Sequence, residues 1–339
     1  MIMKQNSLAE YISKYFSSYL LDERGVTRST IISYKNIMVQ FLKYMNKTYN
    51  LNIDRIKLKD ITFDKVKAYL QYLEKEKKVK TVTRNLHLSM LHSFFIYVQF
   101  EDVENSFEIQ KILSIKMKKT FPTTINYLSI DAIKKILAKP DINTSIGRRN
   151  LAMLALLYDS GCRVQELIDL NVSSISFISP PTLKIIGKGR KIRMVPLIDK
   201  QIEIIKNYMK EYKLMNLERA NEPLFFNSRG ERFTRQNIAY ILIKYANMVR
   251  KECPELIPEK ISPHIFRHSK AMHLLQAGVN IVYIRDFMGH VSINTTEIYA
   301  KADSKMKREA IENAYVKLTD DKVPKWENNE NLLSWLENL

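Results

Sequence analysis

Apolar residues recur at intervals of three and four through the first hundred residues, and this period is typical of amphipathic helices. Four segments share it, and they comprise residues 7–21, 29–45, 62–78 and 81–102. The 339 residues include only 8 glycines and 10 prolines, so few breakers interrupt the pattern. The sequence therefore predicts a mainly α-helical protein in which residues 1–110 form a helical bundle domain.

The middle of the chain differs in pattern. Residues 111–127 carry a cluster of lysines and Pro122 without a clear period, and we interpret them as a basic linker between domains. Further on, two β-rich runs, residues 182–186 and 192–197, flank the sequence GKGRK, which predicts a β-hairpin. Residues 128–318 are therefore expected to form a second, α+β domain with a small β-hairpin or sheet among its helices.

The last residues, 319–339, form an acidic tail. Pro324 interrupts the chain there, and the apolar side chains beyond it recur at roughly helical spacing. They are Trp326, Leu332, Leu333, Trp335, Leu336 and Leu339. The sequence leaves open whether this amphipathic segment docks on its own chain, on a second copy or on a partner protein.

The formal net charge is +18 and the isoelectric point is about 9.6. A folded protein this basic usually meets a polyanion, and nucleic acid is the common one. Cys162 and Cys253 lie far apart, which supports neither a disulfide framework nor a zinc site. The longest apolar run, residues 151–158, is too short to span a membrane, and the first residues lack an apolar signal core. We therefore expect a cytoplasmic protein that binds no membrane.

The segment SPHIFRHSKAMHLLQAG, residues 262–278, crowds basic side chains at a helix start. Its first two residues, Ser-Pro, favour a helix N-terminus, where the helix dipole is already positive. His264, Arg267 and His268 follow directly. A bound anion would offset this charge, whereas a capping or core histidine is the ordinary alternative.

Two further candidates lie upstream. Arg163 stands one helical turn before Glu166, so the carboxylate can orient the guanidinium for anion binding. An ordinary surface ion pair is the alternative for these two residues. Lys188 lies between two glycines at the expected hairpin tip, where it can either reach a ligand or be solvated.

Two candidates lie downstream. The sequence FMGH places His290 just after an expected helix stop, and NTTEIYAKAD contains Tyr299. Taken alone, His290 fits a helix cap and Tyr299 fits a core position. The order of all these residues along the chain is more specific than any one of them.

The ordered set Arg163, Lys188, His264-x-x-Arg267, His290 and Tyr299 resembles the pattern of the tyrosine recombinase (phage-type integrase) family, which includes Xer-type and Cre-type site-specific recombinases. Three sequence contexts agree with this resemblance. SGCRVQELIDL is similar to the family's G-L-R-x-x-E-L box, GKGRKIRMVPL to its G-K-G-x-K-x-R-x-V-P hairpin, and residues 262–301 to its H-x-L-R-H, L-G-H and T-x-x-Y boxes. The resemblance covers about residues 7–318.

The resemblance implies a SAM-like core-binding domain followed by a domain that breaks and rejoins DNA. It implies that Tyr299 attacks a DNA phosphate to give a 3′-phosphotyrosine and then a Holliday junction, with no metal and no other cofactor. Arg163 and Arg267 would bind the phosphoryl oxygens. Lys188 would be the general acid for the leaving 5′-hydroxyl, and His264 the base or proton shuttle for Tyr299.

Further roles follow from the same resemblance. His290 would hydrogen-bond the phosphate, Glu166 would orient the neighbouring basic groups, and His268 would support the site. Three leucines of the family pattern are replaced without an expected loss of chemistry, by Cys162, Phe266 and Met288. The implied partners are double-stranded DNA in the nucleoid and three further copies of the chain in a synaptic tetramer, each donating a C-terminal helix at residues 304–318 to a neighbour.

The biological role stays open between two recombinases. One is the integrase or transposase of a mobile element, which the long tail favours, and the other is an Xer-like resolvase of chromosome or plasmid dimers. Outside this pair, a catalytically silent DNA-binding regulator, a type IB topoisomerase-like enzyme and an RNA-binding helical protein also stay open. The DNA target, an accessory directionality factor and a sister recombinase cannot be inferred from the sequence.

Overall fold

The computed structural model describes residues 8–120, 126–290, 292, 296–299 and 332–337. The chain forms two compact units, residues 1–123 and residues 124–339. Of the tail, Leu332–Glu337 is helical. The predicted C-terminal helix at residues 304–318 and the tail residues before 332 lie outside the described residues.

The first unit is the predicted helical bundle. Its helices are α1 (Leu8–Lys14), which continues as a π-helix (Tyr15–Glu23), α2 (Arg28–Tyr49), α3 (Phe63–Lys75), α4 (Thr81–Glu101) and α5 (Ser106–Leu113), with short 3₁₀ turns at Ile53–Arg55 and Leu58–Asp60. Apolar positions of the helical period form the core. Phe41 lies edge-on to Tyr69 with 5.1 Å between ring centroids, and Tyr15 lies edge-on to Phe94 at 5.3 Å. All four rings are buried.

Helix α5 is absent from the sequence prediction. Its 8 residues are too few for an apolar period to stand out, although Ile109 and Ile112 are buried in the core of the unit. The helix ends inside the predicted linker, residues 111–127. The chain just beyond α5 remains attached to this unit, because the Lys118 ammonium pairs with the Glu74 carboxylate at 2.7 Å.

The second unit combines helices with a small sheet, as predicted. Its helices are α6 (Ile130–Leu137), α7 (Ser145–Asp159), α8 (Val164–Asp169), α9 (Asp199–Glu211), α10 (Arg235–Glu252), α11 (Pro263–Gln276) and α12 (Ile281–Met288). Strands β1 (Ile175–Ser176), β2 (Thr182–Ile186) and β3 (Ile192–Pro196) form an antiparallel sheet in that order. The predicted hairpin is β2–β3, and β1 adds a strand too short to be recognised in the sequence.

The tip of the β2–β3 hairpin is a single tight turn. The turn comprises Lys188–Arg190, and Gly189 adopts φ +73°, which glycine tolerates without strain. At the root of the turn, the Gly187 N–H donates to the Lys191 carbonyl at 2.8 Å. The hairpin therefore holds the backbone of Lys188 at a defined place.

Helix α7 is the centre of the second unit. Residues 152–157 are all buried, and the helix packs against α9 and α11. Its C-terminal end leads through Gly161 to Arg163, so a helix packed into the core positions the first of the predicted site residues. Within the described part of the chain, no helix is both long and apolar enough to cross a membrane.

We expect Gly147→Ala to destabilise the second unit. Alanine is the better helix former by about 1 kcal/mol, but a Cβ at this position would lie 1.8 Å from the Asp141 carbonyl oxygen. Overpacking of this kind usually costs about 1–3 kcal/mol, so the clash should exceed the gain and lower the melting temperature. Ile146→Ala is the matched control, because Ile146 is exposed on the same helix turn. A Gly147→Ala protein as stable as the control would contradict the packing.

Candidate active site

Residues from four distant segments of the second unit meet in one corner. Arg163 precedes α8, Arg267 and His268 lie on α11, His290 follows α12, and Tyr299 lies in the helical residues 296–299. The sequence predicts all five for one site. The contacts of these five residues determine the chemistry that the corner can support.

Arg267 is the buried centre of the corner, with 3% of its surface exposed. Its guanidinium donates to the carbonyls of Gly161 and Met288 at 2.5 Å each. Gly161 follows the end of α7 and Met288 ends α12, so the cation lies at the negative ends of two helix dipoles. These negative helix ends offset the unfavourable position of the Arg267 cation near the positive N-terminus of α11. Burial, with the charge of Arg163, lowers the pKa of Arg267 to about 10, which leaves it protonated at neutral pH.

The buried carboxylate of Glu166 joins two further guanidinium groups. Its Oε1 accepts from Arg163 at 2.7 Å, and its Oε2 accepts from Arg193 at 2.7 Å and from the Arg163 backbone N–H at 2.9 Å. Burial alone would raise the pKa of Glu166, but these hydrogen bonds and positive charges outweigh burial and lower the pKa. The carboxylate therefore stays ionised and orients both guanidinium groups.

Arg163 is the accessible cation of the group. Its side chain is 34% exposed, whereas Arg267 is almost fully enclosed. One Arg163 nitrogen also donates to the Gly289 carbonyl at 3.4 Å, which ties the start of α8 to the turn that precedes His290. Arg163 can therefore receive an anion from solvent while its position stays fixed.

The Tyr299 hydroxyl lies 2.8 Å from Nδ1 of His268. Tyr299 is 2% exposed. Burial raises its pKa, and the charges of Arg267 and Arg163 act in the opposite direction. The family resemblance implies His264 as the base or proton shuttle for Tyr299. In the structure the hydroxyl contacts His268, and among the contacts of the described residues none joins His264 to Tyr299.

The contact of Tyr299 with His268, and not with His264, has a simple geometric reason. His264 and His268 lie one turn apart on the same face of α11, with ring centroids 6.4 Å apart. His264 is in the first turn and is exposed, so the later histidine is the one that reaches the buried tyrosine. Partial desolvation of the His264 ring by its neighbours, together with the charges of Arg267 and Arg163, lowers the pKa of His264.

His290 lies parallel to Tyr299, with 6.3 Å between ring centroids and 12° between ring planes. Its Nδ1 shares a hydrogen bond of 2.9 Å with the buried hydroxyl of Thr296. Burial, together with the charges of Arg267 and Arg163, lowers the pKa of His290 to about 4. The imidazole is therefore uncharged at neutral pH and can hydrogen-bond an anion without adding a positive charge.

The backbone of Lys188 lies in the turn at the hairpin tip, where the sequence predicts it. The root of that turn touches the corner, since a Cβ added to Gly187 would lie 3.2 Å from Glu166 Oε1. The role of Lys188 as a general acid stays a prediction.

Arg193 belongs to this corner but is missing from the predicted residues. Its side chain is only 10% exposed, whereas its neighbours Ile192 and Met194 are exposed. From hydropathy alone, Ile192 and Met194 would be expected to face the core and Arg193 to face the solvent. Two signals point to it: the family's hairpin pattern has an arginine at this position, and Arg193 alternates with Val195, whose side chain lies in the core.

The corner combines the parts needed to bind and attack an oxyanion. It holds three guanidinium groups, one carboxylate that orients two of them, a neutral imidazole and a tyrosine hydroxyl paired with a second imidazole. Positive groups fixed in a buried corner stabilise charge that develops on an anion, and a hydroxyl beside a base is a potential nucleophile. Within the described segments, no group of three or more His, Cys, Asp or Glu side chains is placed to hold a metal ion.

Two family models match the chain. Residues 126–306 match the phage integrase family, and residues 13–101 match the N-terminal SAM-like domain of phage integrases. The first model covers the corner described above, from before Arg163 to beyond Tyr299. The second covers most of the helical bundle.

Individual proteins agree with these matches. The chain is 33% identical over 337 residues to the putative integrase/recombinase y4rC of Sinorhizobium fredii, and the match covers 99% of each of the two chains. It is 30% identical to the tyrosine recombinase XerC of Thermodesulfovibrio yellowstonii over 87% of this chain and 92% of that protein. Its fold is similar to the Tn1549 transposon integrase solved with transposon right-end DNA, with a TM-score of 0.67 and 16% identity over 89% of this chain and 98% of the other.

We expect acid to destabilise the second unit through His290. The pKa of this imidazole is about 4 in the folded protein and about 6.5 in an unfolded chain, so the unfolded state binds more protons between these pH values. The stability contributed by neutral His290 is complete above about pH 6.5 and is lost as the pH falls towards 4. His290→Asn should therefore reduce the proton uptake on unfolding near pH 5, measured from the pH dependence of the free energy of unfolding.

The Glu166 carboxylate gives an internal control for that experiment. Because its pKa is lowered on folding, its contribution is lost only below the ordinary glutamate pKa of about 4.3. Glu166→Gln should change the slope below this pH and leave the slope near pH 5 intact. An unchanged slope near pH 5 in His290→Asn would contradict the assignment to His290.

Proposed function

The chain belongs to the phage integrase family of tyrosine recombinases, which are site-specific DNA recombinases, and from this we propose that it cuts and rejoins DNA through a 3′-phosphotyrosine formed on Tyr299. The observation that carries the proposal is the 2.8 Å hydrogen bond between the Tyr299 hydroxyl and His268, next to the guanidinium groups of Arg163 and Arg267. A hydroxyl, an imidazole and two guanidinium groups thus lie together, and this combination supports transesterification as the chemistry.

The cleavage step exchanges one phosphate ester for another. The Tyr299 oxygen attacks the scissile phosphorus, the bond from phosphorus to the 5′ oxygen breaks, and the phosphate stays on the 3′ end. The Tyr299 proton passes to His268, and the leaving 5′ oxygen takes a proton from the Lys188 ammonium. Because one ester bond replaces another, attack by a 5′-hydroxyl on the phosphotyrosine rejoins the strand without an external energy source.

The positive corner stabilises the transition state. Negative charge grows on the phosphoryl oxygens during attack, and planar guanidinium groups bind such oxygens in a fixed geometry. Arg163 is accessible to the phosphate. Arg267 adds positive charge from its buried position, and neutral His290 donates a hydrogen bond. Loss of one such donor usually lowers the rate by about 10²–10³-fold.

The first unit supplies DNA affinity. Helix α2 contains no acidic residue along its 22 residues, and its basic side chains Arg28, Lys35, Lys43 and Lys47 are all exposed. Basic groups on one acid-free helix attract the phosphate backbone without reading sequence. We assign double-stranded DNA as the partner of this face. By analogy with the family, the active form is a tetramer on DNA in the nucleoid.

The biological role we favour is the integrase or transposase of a mobile element. The relative matched over 99% of both lengths is named a putative integrase/recombinase, whereas the XerC relative is matched over 87% of this chain. An Xer-like resolvase is the second candidate, supported by that XerC similarity. Recombination between the ends of the DNA that carries the gene would support the first role. Resolution of dimers at a single chromosomal site would support the second.

We expect Tyr299→Phe to abolish the covalent adduct completely. The assay uses a DNA substrate nicked beside the crossover in a buffer with EDTA, and the measurement is a protein–DNA adduct that survives denaturant. Tyr283→Phe is the matched control, since Tyr283 is 71% exposed on α12 and should leave adduct formation unchanged. An adduct retained by Tyr299→Phe would assign the nucleophile elsewhere. Relaxation of a plasmid that lacks the site would favour a topoisomerase.

We expect Lys35→Gln and Lys43→Gln to weaken DNA binding equally for all sequences. Each lost phosphate contact should reduce the slope of log K against log salt by about 0.9, which titrations at several salt concentrations measure. Lys111→Gln is the control, because its ammonium already lies 3.4 Å from the Glu108 carboxylate. Equal salt slopes in all three variants would show that α2 does not face the DNA.

A further inference from the structure

We propose that Arg193 is a positioning residue that holds the hairpin carrying Lys188 against the phosphate-binding corner. The inference rests on the proposed function, because it concerns delivery of the Lys188 proton to the leaving 5′ oxygen. It is carried by the contacts that Arg193 makes with three segments of the second unit.

The first contact links the hairpin to the start of α8. Arg193 lies on β3, and its guanidinium donates to Glu166 Oε2 at 2.7 Å. The same carboxylate binds Arg163 through its other oxygen. A shift of the hairpin would therefore strain or break a buried ion pair, which is costly when one charge is left without its partner.

The second contact links the hairpin to the turn before His290. A Cβ added to Gly289 would lie 2.9 Å from Arg193 Nη1 and 3.2 Å from its Cδ. Gly289 also has φ +63°, so both the backbone conformation and the guanidinium require glycine here. Arg193 thus fills the space beside this turn and fixes its distance from the hairpin.

The third contact lies at the root of the turn that carries Lys188. A Cβ on Gly187 would lie 3.2 Å from Glu166 Oε1 and 3.6 Å from Arg193 Nη1. The residue before Lys188 therefore rests directly on the Glu166–Arg193 pair. Because the turn is short, a fixed root limits where the backbone of Lys188 can move.

Stability does not account for an arginine at this position. The side chain is nine-tenths buried, and its Nε has no hydrogen-bond partner among the described residues. A buried donor without a partner destabilises the fold, and the inward position on β3 would suit an apolar side chain. Direct binding of the phosphate is also disfavoured, because Arg163 is 34% exposed and Arg193 only 10%.

The test replaces the 5′ bridging oxygen of the scissile phosphate with sulfur. A thiolate leaves without being protonated, so this substrate removes the need for a general acid. We expect Arg193→Gln to slow single-turnover cleavage of the oxygen substrate by about 10²-fold, the size of effect that a displacement of about 1 Å can have. On the sulfur substrate most of this deficit should disappear, as it should for Lys188→Ala.

Three controls separate a positioning role from a loss of folding or of DNA binding. Lys184→Gln removes an exposed charge from the same hairpin and should cleave both substrates at the wild-type rate. Thermal unfolding and DNA affinity of Arg193→Gln and of the milder Arg193→Lys show whether each variant is folded and bound. Arg193→Lys keeps the charge but loses the planar fork, so we expect it to show the same rescue by sulfur with a smaller initial deficit.

The outcomes are distinct. Rescue of Lys188→Ala without rescue of either folded Arg193 variant overturns the inference and leaves the proposed function intact, since Arg193 would then act on the phosphate or on the fold. Failure to rescue Lys188→Ala overturns the general-acid assignment and the inference with it. Absence of an adduct from wild-type protein on both substrates overturns the proposed function itself.

Discussion

The cations gathered in one corner of the second unit would repel one another, and the buried carboxylate of Glu166 makes their arrangement possible. It accepts hydrogen bonds from Arg163 and Arg193 at 2.7 Å each. Arg267 is compensated differently, by carbonyls at the ends of α7 and α12. These fixed partners leave a net positive corner whose groups need little rearrangement when an anion arrives. These contacts join α8, α11, the end of α12 and the hairpin.

A second constraint acts on the Tyr299 hydroxyl, which we propose as the nucleophile. Tyr299 is buried, and burial raises its pKa, while the neighbouring guanidinium groups oppose that shift. Its hydroxyl is paired with His268, whose pKa is lowered by burial and by the charges of His264 and Arg267. A neutral imidazole is a proton acceptor at neutral pH, so the same burial that protects the tyrosine also keeps its partner in the basic form.

Much of this arrangement is readable from the sequence, for physical reasons. The bundle follows from apolar residues that recur with the helical period of 3.6. The β2–β3 hairpin follows from two β-rich runs separated by glycines at the turn. The order of arginine, histidine and tyrosine residues identifies the corner. The choice between His264 and His268 cannot be read, because both lie on one helix face and the position of Tyr299 decides between them. Hydropathy does not reveal Arg193, because Ile192 and Met194 are exposed and Arg193 is buried, which inverts the usual strand pattern. Helix α5 is missed because eight residues are too few to show an apolar period.

The long-range contacts of the corner also constrain when it can exist. The hydrogen bond from Arg163 to Gly289 spans 126 positions of the chain, and the one from Arg267 to Gly161 spans 106. Distant pairings form slowly because the loop between them must be closed first, and a chain still being synthesised lacks its last segment. The hairpin and Arg163 therefore leave the ribosome long before Tyr299 does, and an unfinished copy carries the positive charge of the corner without the tyrosine hydroxyl.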